Sequence, residues 1–351
     1  MDQRIELTKD YTICRVLNGC WQLSEGHSLQ GRLDLKDVMK AFHLLTEQGF
    51  TTFDCADIYT GVEEFIGEFV KELKSGHGIS ADDIQIHTKY VPDINYLSQV
   101  DYAFTEQIID RSLKRLNRDT LDLVQFHWWD YDVPGYTETA GHLLRLKEKG
   151  KIRNIGVTNF DTARLKELVD AGIPVVSMQA QYSVFDRRPE RNMLDYCKAN
   201  GIKLLCYGTL SGGFLAEKWL GKNMTEPETR SQVKYLQIIE DTLGWDGYQE
   251  LLSLLSKIAE KYNAGISNVA SKYILSQAGV AGAIIGIRNS RHVASNVRIF
   301  EFDLDEEEIE TIRAFLQQFP APEGEPFELE RTPGSKYRSI MHMNINEKEQ
   351  S

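Results

Sequence analysis

The sequence has no basic excess: 52 Asp and Glu outweigh 40 Lys and Arg, leaving a net charge of −12 over 351 residues. Binding to nucleic acid needs clustered cations that displace counterions, and no such cluster occurs, which excludes nucleic acid as a partner. No stretch approaches the roughly 18 consecutive apolar residues of a membrane-spanning helix. The opening MDQRIELTKD lacks the basic-then-apolar pattern of a signal segment. Five cysteines (Cys14, Cys20, Cys55, Cys197, Cys206) include no C-x-x-C pair, and most lie in apolar runs, which suits reduced, buried thiols. The histidines show no H-E-x-x-H and no pairing with cysteine, so no metal site is expected. These absences point to a cytoplasmic protein with no membrane partner, monomeric by default.

What the chain does have is a short apolar run that recurs. CRVLNGCWQL (14–23) is followed by TTFDCAD (51–57), IQIHTKY (84–90), LDLVQFHWW (121–129), IRNIGVTNF (152–160), PVVSMQAQY (174–182), IKLLCYG (202–208) and AGAIIGI (281–287). Several are apolar on both faces, as parallel strands covered by helices are. Between them lie stretches of helical period. In 102–116, Phe104, Ile108, Ile109, Leu113 and Leu116 form one apolar face. Asp161 is a plausible N-cap for a helix that stops before Gly172, and DLDEEEIE (303–310) reads as a capped helix start.

Regular alternation of eight strands with helices predicts an α/β fold, a (β/α)8 TIM barrel over residues 1–318. The doubly wound dinucleotide fold is the competitor. It would need G-x-G-x-x-G after the first strand, which is absent, and GTLSGGF (208–214) has neither that spacing nor that place. Two stretches break the alternation. A long loop at 213–245 after the seventh strand carries Trp219, Tyr235 and Trp245, either a substrate lid or the loop's own small core. An extension at 319–351 is proline-rich and charged, and is expected to be extended over the barrel or partly disordered.

In such a barrel the chemistry sits where strands end. Asp54 closes the second run, with Tyr59 in the loop behind it; Lys89 closes the third, His127 the fourth, Thr158 and Asn159 the fifth, Gln179 the sixth and Tyr207 the seventh. A free phenol titrates near about 10, too weak an acid for neutral pH. An ammonium beside it stabilises the phenolate, and a carboxylate keeps that ammonium charged and in place. Asp54 would orient Lys89, Lys89 would tune Tyr59, and His127 would orient a carbonyl oxygen toward the phenol. Cys55, beside Asp54, points into the packing layer by strand alternation.

The ordered set resembles that of the aldo-keto reductase family over roughly residues 10–318. D-x-A-x-x-Y is present as Asp54, Ala56 and Tyr59, followed by GVEEFIG; the lysine stands in HTKY, the histidine in QFHWW, and IGVTNF is similar to the family's I-G-V-S-N-F. The resemblance implies that Tyr59 is the general acid, that Asp54 and Lys89 tune it, and that His127 orients the carbonyl. It also implies that Thr158, Asn159 and Gln179 hold the nicotinamide amide and that Tyr207 stacks on its ring. Gly208, Leu210, Gly212 and Phe214 would belong to the turn that wraps the diphosphate. Gly19, Trp21 and Trp128 would line the cavity above the ring. At the adenosine end the chain departs from the K-S-x-x-x-x-R-x-x-x-N found in many members. It has Gly286, Ile287 and His292 at the lysine, serine and arginine positions, keeps Asn296, and offers Arg288 and Arg291 nearby. NADP(H) is therefore favoured as cofactor, with NAD(H) possible. The expected activity is NADPH-dependent reduction of a small-molecule aldehyde or ketone to an alcohol. The alternatives are a nucleotide-binding sensor or auxiliary subunit with little turnover, and an NAD(P)-dependent alcohol or sugar dehydrogenase.

Overall fold

The computed structural model describes residues 1–24, 33–224, 226–331, 334, 337 and 338. Eight parallel strands close into a barrel: β3 (Val16–Gly19), β4 (Thr52–Asp54), β5 (Gln85–Tyr90), β6 (Leu123–Phe126), β7 (Ile155–Thr158), β8 (Val175–Gln181), β9 (Lys203–Tyr207) and β10 (Val280–Gly286), with β10 pairing back onto β3. Each coincides with one of the eight apolar runs, and the (β/α)8 expectation holds. Two further strands were not anticipated. β1 (Arg4–Thr8) and β2 (Tyr11–Cys14) form an antiparallel hairpin whose Leu7, Tyr11 and Ile13 pack on Leu17, Leu123, Leu205 and Ala281. Those partners lie early in their strands, so the hairpin covers the end of the barrel where the strands begin.

The helices α1 (Leu35–Glu47), α2 (Val62–Lys74), α3 (Tyr102–Leu116), α4 (Tyr136–Glu148), α5 (Thr162–Asp170) and α6 (Met193–Ala199) follow successive strands. Their ends are written in the sequence. Asp34, Asp101 and Asp161 cap α1, α3 and α5 by accepting backbone N–H groups, and Asn117 ends α3 in the left-handed conformation (φ 53°).

The long stretch after the seventh barrel strand has structure of its own. It holds α7 (Arg230–Thr242), followed by α8 (Gly244–Lys261) and α9 (Ile266–Leu275). Trp219 donates its indole N–H to Gly213 O and packs on Phe214, while Trp245 packs on Tyr248; both serve this segment's own core. Tyr235 alone of the three faces the cavity described below. After β10 come α10 (Val293–Arg298) and α11 (Glu306–Leu316), the latter opened by a reciprocal capping box between Asp305 and Glu308.

Part of the C-terminal extension is helical. Residues Pro326–Arg331 form a helix, α12, over the barrel mouth rather than an extended strap. Phe327 stacks on Tyr131 with ring centroids 4.2 Å apart, Glu325 accepts from the first backbone N–H of α5 at Thr162, and Arg191 donates to Pro322 O. Residues 332–333, 335–336 and 339–351 of the extension lie outside the described residues.

Candidate active site

At the end of the barrel opposite the hairpin, a cavity of about 590 Å3 is lined by residues from almost every strand end, from α7 and from α12. The volume falls in the range of small-molecule sites.

Asp54 is the hub of its floor. Its Oδ1 accepts from Lys89 Nζ at 2.7 Å, and its Oδ2 accepts from Gln125 Nε2 at 2.9 Å and Gln179 Nε2 at 2.6 Å. Lys89 Nζ also donates to Cys55 O at 2.8 Å. Asp54 and Lys89 are 4% and 5% exposed, so neither charge could be sustained without the other. Burial alone would push the Lys89 ammonium down; the Asp54 carboxylate, with Tyr59 behind it, overrides this and leaves it raised.

Tyr59 lies over this pair, its ring centroid 5.0 Å from Lys89 Nζ and 4.8 Å from the ring of Trp21. Burial pushes the phenol up to about 12, with the Lys89 ammonium pulling it back. The sequence led us to expect the lysine to dominate. Here desolvation wins, and the net direction is upward.

His127, at the end of β6, is fixed at both nitrogens. Nδ1 lies 2.9 Å from Thr158 O, and Nε2 lies 2.7 Å from Arg331 Nη2. A carbonyl only accepts and a guanidinium only donates, so the neutral ring carries its proton on Nδ1 and offers a lone pair from Nε2. Burial, then the Arg331 charge, hold His127 down to about 3, which keeps it neutral. It is therefore an acceptor toward the cavity here, not the donor expected from sequence.

The nicotinamide-binding candidates converge as expected. Asn159, at φ 53°, accepts from Tyr207 O–H through Oδ1 at 2.8 Å, which leaves its amide N–H groups for another partner. Gln179 spends Nε2 on Asp54 and Gln125, so its oxygen is the atom it can still offer. Thr158, Tyr207, Gly208, Leu210, Gly212, Gly286, Arg288, His292 and Asn296 also line the cavity, with Gly19 and Trp21. Gly208 (φ 72°) and Gly212 (φ 64°) need to be glycine twice over, for their left-handed backbone and because Tyr235 packs where a Cβ would stand. Arg288 is exposed and lines the cavity, whereas Arg291 is not among its lining residues.

Two candidates are displaced. Trp128 is fully buried, donates to Val133 O at 2.9 Å and packs on Phe126; the indole lining the cavity is Trp129, two residues after His127 and on the same side of the chain. Phe214 is buried against Trp219 and Tyr248 and does not reach the cavity. The turn that carries it winds into a short helical kink and rotates the ring away.

Other residues of the site escaped the sequence reading. Gln125 precedes His127 by two and shares its inward face, a signal that alternation supplies. Lys234, Glu330 and Arg331 had no local signal. Glu330 pairs with Lys234 and, at 3.0 Å, with Arg331 Nη1. Burial raises its pKa, but the two cations override this and hold it down to about 2.

A nicotinamide dinucleotide is chemically matched to what remains unsatisfied. Thr209 Oγ1 and Gln22 Oε1 are buried, face the cavity and have no partner among the described residues. Arg288 makes no ion pair among them. No group of three or more metal-ligating side chains occurs among the described residues, and no helix there is long and apolar enough to cross a membrane.

Comparison with known proteins agrees with this geometry. The family model described as "Aldo/keto reductase family" matches residues 15–317. Aldo-keto reductase YhdN of Bacillus subtilis is 30% identical over 312 residues, covering 86% of this chain and 90% of the relative. The NADH-specific methylglyoxal reductase of Escherichia coli is 25% identical over 329 residues, covering 88% and 97%. Among solved structures, the glycerol dehydrogenase of Gluconobacter oxydans superposes with a TM-score of 0.76 at 24% identity, covering 92% of this chain and 98% of that one, a likeness of fold.

Proposed function

The chain belongs to the aldo-keto reductase family and is an NAD(P)H-dependent oxidoreductase, and from that premise we propose that it reduces aldehydes or ketones to alcohols with NADPH, Tyr59 supplying the proton. The observation that carries this reading is the buried Asp54–Lys89 pair beneath the Tyr59 ring.

When bound, the reduced nicotinamide supplies a hydride to the carbonyl carbon. Thr158, Asn159 and Gln179 would hold its carboxamide, and the Tyr207 ring would lie against one face. Gly208, Thr209 and Leu210 would follow the diphosphate, with Gly286, Arg288, His292 and Asn296 at the adenosine end. Tyr59 passes its proton to the carbonyl oxygen as negative charge develops there, and the phenolate left behind is stabilised by Lys89 until solvent restores the proton. Asp54 keeps Lys89 charged and, through Gln125 and Gln179, ties the proton donor to the wall that would hold the cofactor. Trp21 and Trp129 exclude water from the reacting carbon.

NADPH is favoured because Arg288 offers a fork-shaped cationic partner to the phosphate dianion where a 2'-phosphate would lie. The E. coli relative named for NADH specificity shows that the family supports either choice. The test is NADPH and NADH oxidation with a reactive aromatic aldehyde, wild type beside Tyr59→Phe. Loss of at least about 100-fold in kcat with retained cofactor binding is expected; an unchanged kcat would remove Tyr59 from the proton step.

A further inference from the structure

The roof of the cavity carries a cation that the reduction chemistry above does not use. Arg331 is 8% exposed, reaches the cavity from α12, and lies over the Trp129 ring at 4.8 Å and the Phe327 ring at 5.3 Å. These rings fix the plane of the guanidinium. Its Nη1 donates to Glu330 Oε2 at 3.0 Å and its Nη2 to His127 Nε2 at 2.7 Å. Its Nε–H is buried and has no partner among the described residues. A buried, unsatisfied donor on a charged group is costly, and the residue that carries it borders a cavity of ligand size.

The charge count agrees. Glu330 is shared between Arg331 and Lys234, so these three described side chains lining the corner of the cavity are two cations and one anion. The nearby Arg188 is matched by its own Asp186 at 2.6 Å. One positive charge is left over at the roof, beside the position of Tyr59 and His127 rather than at the Arg288 end. Because His127 keeps its proton on Nδ1, it accepts from Arg331 instead of competing with it for an anion, and so holds the guanidinium in place.

We propose that Arg331 is the specificity-determining residue of this site and that its substrates are carbonyl compounds carrying a carboxylate close to the reacting carbon, of which 2-oxo acids are the simplest. The Nε–H and the adjoining Nη2 group form an edge whose spacing matches the two oxygens of a carboxylate. Glu330 and Lys234 position the guanidinium without occupying that edge, and Trp129 supplies an apolar wall for the rest of the molecule. The proposal rests on the carbonyl-reductase reading and deepens it by naming the substrate class.

The test compares phenylglyoxylate with its methyl ester, which share a skeleton and differ in charge, in wild type, Arg331→Met and Arg331→Lys shown to bind NADPH. Wild type prefers the acid; Arg331→Met lowers the acid-to-ester ratio of kcat/KM by about 10- to 100-fold, chiefly through KM, and Arg331→Lys restores part of it. Equal losses on acid and ester, an unchanged ratio, or weakened NADPH binding with an unchanged ratio overturns the proposal; the last would assign the free edge to the cofactor. If wild type reduces neither compound, the reductase reading fails separately. Titration of the NADPH-loaded protein with benzoate and benzamide then decides the role of Arg331: benzoate binding weakened by about tenfold or more in Arg331→Met supports it, and equal binding of benzoate by both proteins refutes it.

Discussion

Asp54→Asn probes the centre of the floor with almost no change of shape. The carboxylate accepts three side-chain donors, Lys89, Gln125 and Gln179. An asparagine oxygen can still accept from Lys89, but its Nδ2 then meets two amide donors that have nothing to donate to. The ammonium, 5% exposed, also loses its counter-charge. Breaking one partner of a buried pair costs about 3–5 kcal/mol. With roughly 2.1 cal/mol/K of unfolding entropy per residue, that lowers Tm by roughly 4–7 °C for a chain of this size. The pH dependence gives a sharper signature. In the wild type the Lys89 pKa is raised above its unfolded value, so its stabilisation is present below that value and is lost as pH rises through the folded one. In Asp54→Asn, burial alone acts and the folded value falls below the unfolded one. The unfolded chain then binds more protons, and the variant gains stability as pH rises. Thermal melts of both proteins from about pH 6 to about pH 9 should therefore show the Tm gap narrowing toward alkali. A gap that is absent, or constant with pH, would refute the idea that Asp54 is there to keep Lys89 charged.

The two neighbouring indoles should separate stability from turnover: Trp128→Ala costs about 3–5 kcal/mol in a melt, whereas Trp129→Ala mainly raises KM for a carbonyl substrate, and the reverse pattern would contradict their placement. The proposed reduction needs protonated Tyr59, whose pKa, raised to about 12, keeps the proton in place until strongly alkaline pH, while His127, held down to about 3, is already neutral. Steady-state kcat/KM for reduction should hence vary less than about threefold from about pH 6 to about pH 9; an inflection near about 6.5 would show that His127 titrates as an ordinary imidazole.

The residues that sequence reveals here are those that violate their surroundings. A carboxylate, an ammonium and an imidazole, each closing an apolar run, stand out because burying them unpaired would be prohibitive, and the fold brings them together at one end. Gln125 and Trp129 were equally available through alternation about His127, but a neutral amide and an indole break no pattern. Phe214 was misplaced because the path of a glycine-rich turn depends on backbone angles that residue types permit without dictating. The tail was least legible. The helix of Pro326–Arg331 is too short to be stable alone, and it is held by contacts with Tyr131, Thr162 and Arg191, far away in sequence. The hairpin of Arg4–Cys14 was missed for a similar reason, since its value lies in the barrel end that it covers.

The helix of Pro326–Arg331 lies outside the repeating strand–helix units, and it nevertheless furnishes one wall of the reaction chamber. The proposed proton donor Tyr59 and the Asp54–Lys89 pair beneath it belong to the barrel strands and the loop that follows one of them, whereas the guanidinium above them is borne by a short helix of the extension. On the role proposed for Arg331, selection could rewrite what the site accepts by editing this short helix, leaving the barrel floor untouched. Relatives with the same four proposed catalytic positions and different tails would then be expected to share a chemistry and diverge in diet.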